Sequence, residues 1–264
     1  MRGVLLVNPR SGSDRPGVAE LLEAARRLGV RTHVLGRDDD PARLATEADE
    51  PALGVAGGDG SLGAVAQVAI ERDLPFVCVP FGTRNHFARD AGLDPDDPIG
   101  ALAAFGGRER RIDVGRVGDT VFLNNVSLGV YAQLVHRREH GRRRREALAR
   151  LRAAVIALSR PRPVRARIDG RWQPAAVLLV ANNAYRLDPL SVGERERLDE
   201  GRLHLYVTEG AFASRWEEQS ATRFELEVAP APVQAAIDGE PAELASPLEL
   251  RIDPLALRLL QPEG

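Results

Sequence analysis

The stretch Ala52-Leu53-Gly54-Val55-Ala56-Gly57-Gly58-Asp59-Gly60-Ser61 decides how the rest of this sequence is read. A short apolar run enters a loop built from Gly57, Gly58, Asp59 and Gly60, and a helix-like segment, Leu62 to Ile70, leaves it. Glycines at a strand-to-helix corner let backbone N–H groups turn inward, and the helix N-terminus adds partial positive charge. That combination suits an anionic phosphate. An aspartate in the same loop repels phosphate unless a metal ion stands between them, which favours Mg²⁺-nucleotide over a bare anion. A purely structural tight turn is the competing reading of any lone glycine cluster.

Working outward, Val4 to Val7 reads as a buried strand that ends at Asn8-Pro9-Arg10-Ser11-Gly12-Ser13. Val18, Leu21, Leu22, Ala25 and Leu28 fall at helical spacing and Gly29 stops them. Val30 to Leu35 is a second strand, a short helix runs from Pro41 to about Ala48, and Pro75 to Val79 is a fourth strand after the glycine loop. Strands alternating with helices at this spacing predict a parallel sheet with helices on both faces. A second glycine loop, Phe81-Gly82-Thr83-Arg84-Asn85-His86, opens another helix, and Asp97 to Phe105 is expected to form one more, closed by Gly106-Gly107.

There the rhythm changes. Arg111–Val117 and Thr120–Asn125 flank Gly118-Asp119 as a hairpin, and further strands are predicted at 164–169, 173–181, 203–208, 223–228, 233–237 and 248–259. One helix, about Arg143 to Ser159, interrupts them. The expected fold is therefore an α/β, Rossmann-like parallel-sheet domain over 1–108 and an antiparallel β-sandwich domain over 109–254.

Composition excludes several chemistries. The 264-residue chain has a formal net charge of −2, and all 36 of its basic residues are Arg. Without Lys there is no Schiff-base lysine and no Walker A lysine. The single cysteine, Cys78, lies in the apolar run Phe76-Val77-Cys78-Val79, so no internal disulfide forms and a reducing compartment is expected. The opening residues pass straight into a loop, so no signal peptide is expected, and no apolar run reaches the roughly 18–20 residues that cross a bilayer. The expected location is cytoplasmic, with room for peripheral contact at the inner membrane surface. Arg137 to Arg167 holds twelve Arg against two Glu. It reads either as a solvated helix face or as a basic patch for anionic phospholipid headgroups, where each Arg contributes about 1 kcal/mol. No Phe, Trp or Tyr interleaves it, which argues against nucleic acid.

Gly58-Asp59-Gly60-Ser61-Leu62-Gly63 formally matches the dinucleotide fingerprint. That fingerprint belongs in the first strand–helix turn, with an acidic residue about 20 positions on for the ribose. Here it lies in the third turn and the next strand ends Val79-Pro80-Phe81, which disfavours hydride transfer.

The whole set of motifs resembles the catalytic domain of the diacylglycerol kinase family, which includes bacterial lipid kinases and sphingosine kinases, with NAD kinases as distant relatives. The matching pieces are Asn8-Pro9-Arg10-Ser11-Gly12, Gly57-Gly58-Asp59-Gly60-Ser61, Pro80-Phe81-Gly82-Thr83-Arg84-Asn85, Ile112-Asp113-Val114-Gly115, Asn182-Asn183 and Ile237-Asp238-Gly239-Glu240. They occur in the family's order over nearly the full length. The resemblance implies two domains, ATP and Mg²⁺ as cofactors, phosphoryl transfer to a lipid hydroxyl, and a last strand, about 255–264, that returns to the first domain. It implies nucleotide binding by Asn8, Ser11, Gly12, Gly57, Gly58, Asp59, Gly60, Ser61, Gly82, Thr83 and Asn85, with Asp59 holding the metal. The proton acceptor falls on Glu240, beside Asp238. With no Lys, any cationic stabiliser is Arg, and Arg10 and Arg84 are the candidates closest in sequence to the loops.

The chain also departs from the family pattern. Ser61 replaces Thr, Arg84 stands where Gly is common, and His86 stands where an Asp of a water-linked carboxylate network with Asp59 and Asp113 is common. The family's Asp-Asp-Gly segment, tied in some members to a structural Mg²⁺, is Asp199-Glu200-Gly201 here, so Glu200 stands at that metal position. Two rival readings follow: a NAD kinase-like enzyme with a soluble acceptor, whose Asn-Glu pair after the glycine loop is not evident here, and a catalytically impaired nucleotide-binding regulatory protein.

Overall fold

The computed structural model describes residues 3–11, 16–82, 85–129, 164–168, 170–188, 191–192, 194–208 and 217–263. The chain divides into two compact units, Met1–Val114 with Glu194–Gly201 and Asp253–Gly264, and Gly115–Gly193 with Arg202–Ile252.

The first unit alternates strand and helix: β1 (Val4–Val7), α1 (Val18–Arg27), β2 (Arg31–Val34), α2 (Pro41–Glu47), β3 (Leu53–Gly57), α3 (Leu62–Glu71), β4 (Phe76–Pro80), α4 (His86–Asp90) and α5 (Pro98–Ala101), with 3₁₀ turns at Asp59–Ser61 and Leu102–Gly106. The strands pair in parallel in the order β2-β1-β3-β4. Every residue of β1, β3 and β4 is buried, as a parallel sheet covered on both faces requires. Leu259 of the last strand pairs in parallel with Phe76, so the chain returns to this sheet.

The helix expected over Asp97–Phe105 is instead a four-residue α-helix followed by a 3₁₀ turn. The Phe105 ring in this turn fills the space left by two glycines: a Cβ on Gly3 or Gly54 would stand 2.4 or 2.6 Å from it.

The remaining elements are strands: β5 (Arg108–Val117), β6 (Thr120–Phe122), β7 (Asn125–Gly129), β8 (Val164–Ile168), β9 (Arg171–Ala175), β10 (Val177–Asn182), β11 (Leu187–Asp188), β12 (Ser191–Val192), β13 (Leu203–Thr208), β14 (Glu217–Ala221), β15 (Arg223–Ala229), β16 (Val233–Ile237), β17 (Glu240–Leu244) and β18 (Leu248–Gln261). The division between units falls within β5 and within β18, and Glu194–Gly201, between β12 and β13, belongs to the first unit.

In the second unit six strands form an antiparallel sheet, β14-β13-β10-β7-β16-β17. Opposite it lie β9, β8, β15 and the first residues of β18, all antiparallel, with β5 pairing β18 and β6. Val126, Leu178, Val180, Leu205 and Ala235 of the first layer share one core with Phe122, Ala166, Leu226, Val228 and Leu250 of the second. Alternate residues of two facing sheets meeting in this way define a sandwich. The strand expected over 173–181 is broken at Ala176, after Pro174, and the one expected over Thr120–Asn125 stops at Phe122. The helix expected over Arg143–Ser159 lies outside the described residues.

Candidate active site

The first glycine loop begins where β3 ends. The Ser61 N–H donates to the Gly58 carbonyl at 2.9 Å and closes the 3₁₀ turn. A Cβ on Gly57 would stand 2.8 Å from the Ser61 Cβ, so only glycine fits there. Asn8, at the end of β1, is fixed by its own N–H to the Ala56 carbonyl, 2.9 Å, and donates from Nδ2 to Ser61 Oγ at 3.0 Å. A hydroxyl that accepts in this way keeps one proton to donate. The Asn8 side-chain oxygen takes the Arg10 N–H at 3.1 Å, and the Ser11 N–H meets the Asn8 carbonyl at 3.2 Å. The Arg10 guanidinium points elsewhere: it is exposed and donates to the Gly36 carbonyl at 3.3 Å.

The second loop locks onto the first. The Phe81 N–H donates to the Gly57 carbonyl at 3.1 Å. Asn85 folds back on its own loop, accepting the Gly82 N–H at 3.0 Å and donating to the Gly82 and Pro95 carbonyls at 3.1 Å each. Asp59 then crosses between the loops: Oδ2 accepts the His86 N–H at 3.2 Å and Oδ1 the Phe87 N–H at 3.0 Å. A carboxylate thus caps the first turn of α4, satisfying two of the N–H groups that a helix start leaves open. Burial pushes the Asp59 carboxyl above its ordinary value; the two amides and the charges of His86 and Arg195 oppose this without reversing it. Gly12, Thr83 and Arg84 lie outside the described residues.

Arg195, which no sequence motif singles out, is a buried cation of this unit. Its Nε donates to Asp90 Oδ2 at 2.8 Å, with both side chains fully buried. Nothing in Gly193-Glu194-Arg195-Glu196-Arg197 distinguishes it from a solvated charge run. The oxygens of Asp113 accept the Gly201 N–H at 2.6 Å and the Leu255 N–H at 2.8 Å. Glu200 is exposed, and its neighbour Asp199 pairs with Arg110 and Arg197. Among the described residues no group of three or more His, Cys, Asp or Glu is placed to hold a metal ion.

In the second unit, Asp238 and Gly239 form the tight turn between β16 and β17, both with positive φ (48° and 84°), as a type I′ turn demands. Asp238 accepts three consecutive backbone amides, Leu123 at 2.7 Å, Asn124 at 2.7 Å and Asn125 at 3.0 Å. Its carboxylate thereby holds the turn that launches β7. Asn182 adds to the same knot by donating to the Leu123 carbonyl at 3.0 Å. Glu240 opens β17 opposite Ile237 and is exposed.

Comparison with known proteins agrees with this architecture. Residues 2–117 match the model of the diacylglycerol kinase catalytic domain. A probable lipid kinase YegS-like protein of Chromohalobacter salexigens is 36% identical over 143 residues, 50% of this chain and 45% of the relative. A diacylglycerol kinase of Mycobacterium tuberculosis is 31% identical over 193 residues, 67% of this chain and 62% of the relative. The chain thus spans about half the length of the known relatives it matches. The crystal structure of a diacylglycerol kinase from Bacillus anthracis superposes with a TM-score of 0.72, covering 98% of this chain and 96% of that one at 16% identity, a likeness of fold. Over residues 2–117, then, the chain is similar to the diacylglycerol kinase catalytic domain.

Proposed function

We propose that this protein is an ATP-dependent lipid kinase that transfers the γ-phosphoryl group of ATP to a hydroxyl of a diacylglycerol-like lipid. The observation that carries the reading is Asp59, a half-buried carboxylate held between two glycine loops by the amides of His86 and Phe87. Each of its oxygens accepts one N–H and retains a further acceptor position, a donor set that fits a hard cation. Mg²⁺ held there would neutralise phosphate charge that the carboxylate alone would repel.

Phosphoryl transfer asks chiefly for positioning and charge stabilisation. In this reading the amides of the Gly57–Ser61 turn, the Ser61 hydroxyl and the Asn8–Ser11 and Gly82–Asn85 loops hold the nucleotide. Glu240 accepts the acceptor hydroxyl's proton as its oxygen bonds to the γ-phosphorus and the bond to the bridging oxygen breaks, leaving ADP. Residues 1–108, with the returning strand about 255–264, serve the nucleotide, and 109–254 serve the lipid. The lipid-kinase names of the relatives support this assignment. Contact with anionic membrane is proposed through Arg137–Arg167, of which Arg165 and Arg167 are described and exposed.

Radiolabelled ATP offered with a panel of lipid alcohols, and with NAD as the soluble acceptor, tests the proposal. Transfer to a lipid is the expected result. Transfer to NAD alone, or tight ATP binding without transfer to any acceptor, would overturn it.

A further inference from the structure

The helix α4 is only five residues long, too short to hold itself together in water, so its place is set by whatever grips its ends. The grip at its start is Asp59. The grip at its end is Asp90, whose fully buried carboxylate takes Arg195 Nε on one oxygen at 2.8 Å and Arg89 Nη2 on the other at 3.0 Å. A guanidinium and a carboxylate removed from water persist only when paired, so each fixes the position of the other.

We propose that Arg195 is a positioning residue of the nucleotide site: locked on Asp90, it holds α4 where Asp59 can cap it. The inference rests on reading the glycine loops as that site. Arg195 is itself anchored, because Glu194–Gly201 is tied to the sheet through Asp113, whose N–H donates to the Leu198 carbonyl at 2.7 Å and whose carboxylate takes the Gly201 N–H. Arg110 adds an ion pair to Asp199 at 3.1 Å. Arg89 joins α4 to the same segment a second time, through Glu194 Oε1 at 3.4 Å. A run of chain lying between two strands of the second unit's sequence thus braces the helix that follows the second glycine loop. If the brace loosens, the amides of His86 and Phe87 move away from Asp59, and Asn85, which shapes the Gly82 turn, moves with them.

The test compares the wild-type protein with Arg195→Met, Arg195→Lys and the double variant Asp90→Asn/Arg195→Met, which removes the orphaned carboxylate along with its partner. Two quantities are read: hydrogen exchange at the His86 and Phe87 amides, with α3 as internal control, and Mg·ATP affinity by calorimetry. In Arg195→Met the two amides are expected to exchange about tenfold faster while α3 keeps its protection. Mg·ATP should bind about tenfold more weakly, the size of one lost charge-assisted hydrogen bond. Arg195→Lys should recover part of both. A merely structural residue would lower the melting temperature and leave the exchange pattern and the affinity of the folded fraction untouched, and that result overturns the inference. Should Arg195→Met fail to fold, the double variant decides on the same two readouts. Wild-type binding matched by the variants overturns this inference alone, whereas a wild-type protein that binds no Mg·ATP overturns the nucleotide reading and this inference with it.

Discussion

Gly82 lies so close to Gly58 that a Cβ at residue 82 would stand 2.3 Å from the Gly58 Cα and 2.7 Å from its nitrogen. The two glycine loops therefore meet backbone to backbone, and neither glycine is there for an unusual backbone angle. The contact makes one surface of the ends of β3 and β4, and Asp59 crosses it to α4. A loop that merely turned the chain would not need a second loop pressed against it.

Gly82→Ala is expected to push the loops apart, at the overpacking cost of about 1–3 kcal/mol, and to weaken Mg·ATP binding in the protein that remains folded. Gly106→Ala serves as the control, since a Cβ there meets nothing within 4 Å. Urea denaturation and calorimetry measure both effects. A Gly82→Ala protein that melts and binds like Gly106→Ala would show that the loops do not meet.

The second expectation concerns pH. Burial raises the Asp59 carboxyl from its ordinary value of 3.8. A folded-state value above the unfolded one means that the folded protein binds this proton more tightly. The stability the group contributes is therefore present below pH 3.8 and lost as pH rises through the folded value. Asp59→Asn has no such proton to lose. Its melting temperature relative to wild type should climb as pH rises above 3.8 and through the folded-state value, in metal-free buffer, while turnover disappears. A difference that stays flat or falls over that range contradicts the assignment.

Gly115, in the motif Ile112-Asp113-Val114-Gly115, supports a third. It pairs across β5–β6 with Phe122, and a Cβ there would stand 2.1 Å from the Phe122 ring, which is fully buried in the sandwich core. Gly115→Ala is expected to cost about 1–3 kcal/mol in the wild-type background and markedly less when Phe122 is Leu. A double-mutant cycle by urea denaturation measures the coupling, and additive costs would mean that the ring is not what excludes the side chain.

What is legible in the sequence follows from what each element buries. The first strands carry continuous apolar runs where helices cover both faces of a parallel sheet, so β1, β3 and β4 stand out. Besides β7 and the two-residue β11 and β12, the strands not predicted are the polar ones at the two rims of the six-stranded sheet, β14 (Glu217–Ala221) and β17 (Glu240–Leu244), none of whose residues is buried. An edge strand of this kind shows no alternation to find. At the site, the glycine loops, Asn8 and Asp59 are visible because their chemistry is local. Arg195 and the structural role of Asp113 are not, since their partners Asp90, Gly201 and Leu255 lie 105, 88 and 142 positions away. Likewise Ile237-Asp238-Gly239 repeats the tripeptide Ile168-Asp169-Gly170 in the sequence, and what Asp238 does is seen in the amides it gathers from residues 123–125.

Asp238 and Glu240 stand two residues apart, and the geometry separates what each should do. Asp238→Asn replaces an oxygen that accepts buried amides with an NH₂ group facing other donors, leaving at least one amide of Leu123–Asn125 unsatisfied. The expected cost is about 3 kcal/mol, the range of charge-assisted bonds and stranded buried donors. Activity then falls chiefly because the β6–β7 turn opens and the β16–β17 turn is no longer tied to it. Glu240→Gln changes an exposed side chain, so stability should stay within about 0.5 kcal/mol of wild type. Mg·ATP binding should persist and phosphoryl transfer should cease, because the amide cannot take the hydroxyl proton. Urea denaturation, calorimetry and radiolabel transfer on the two variants distinguish the roles. Normal stability in Asp238→Asn would remove it as the anchor of the turn, and retained turnover in Glu240→Gln would move the proton acceptor to another residue.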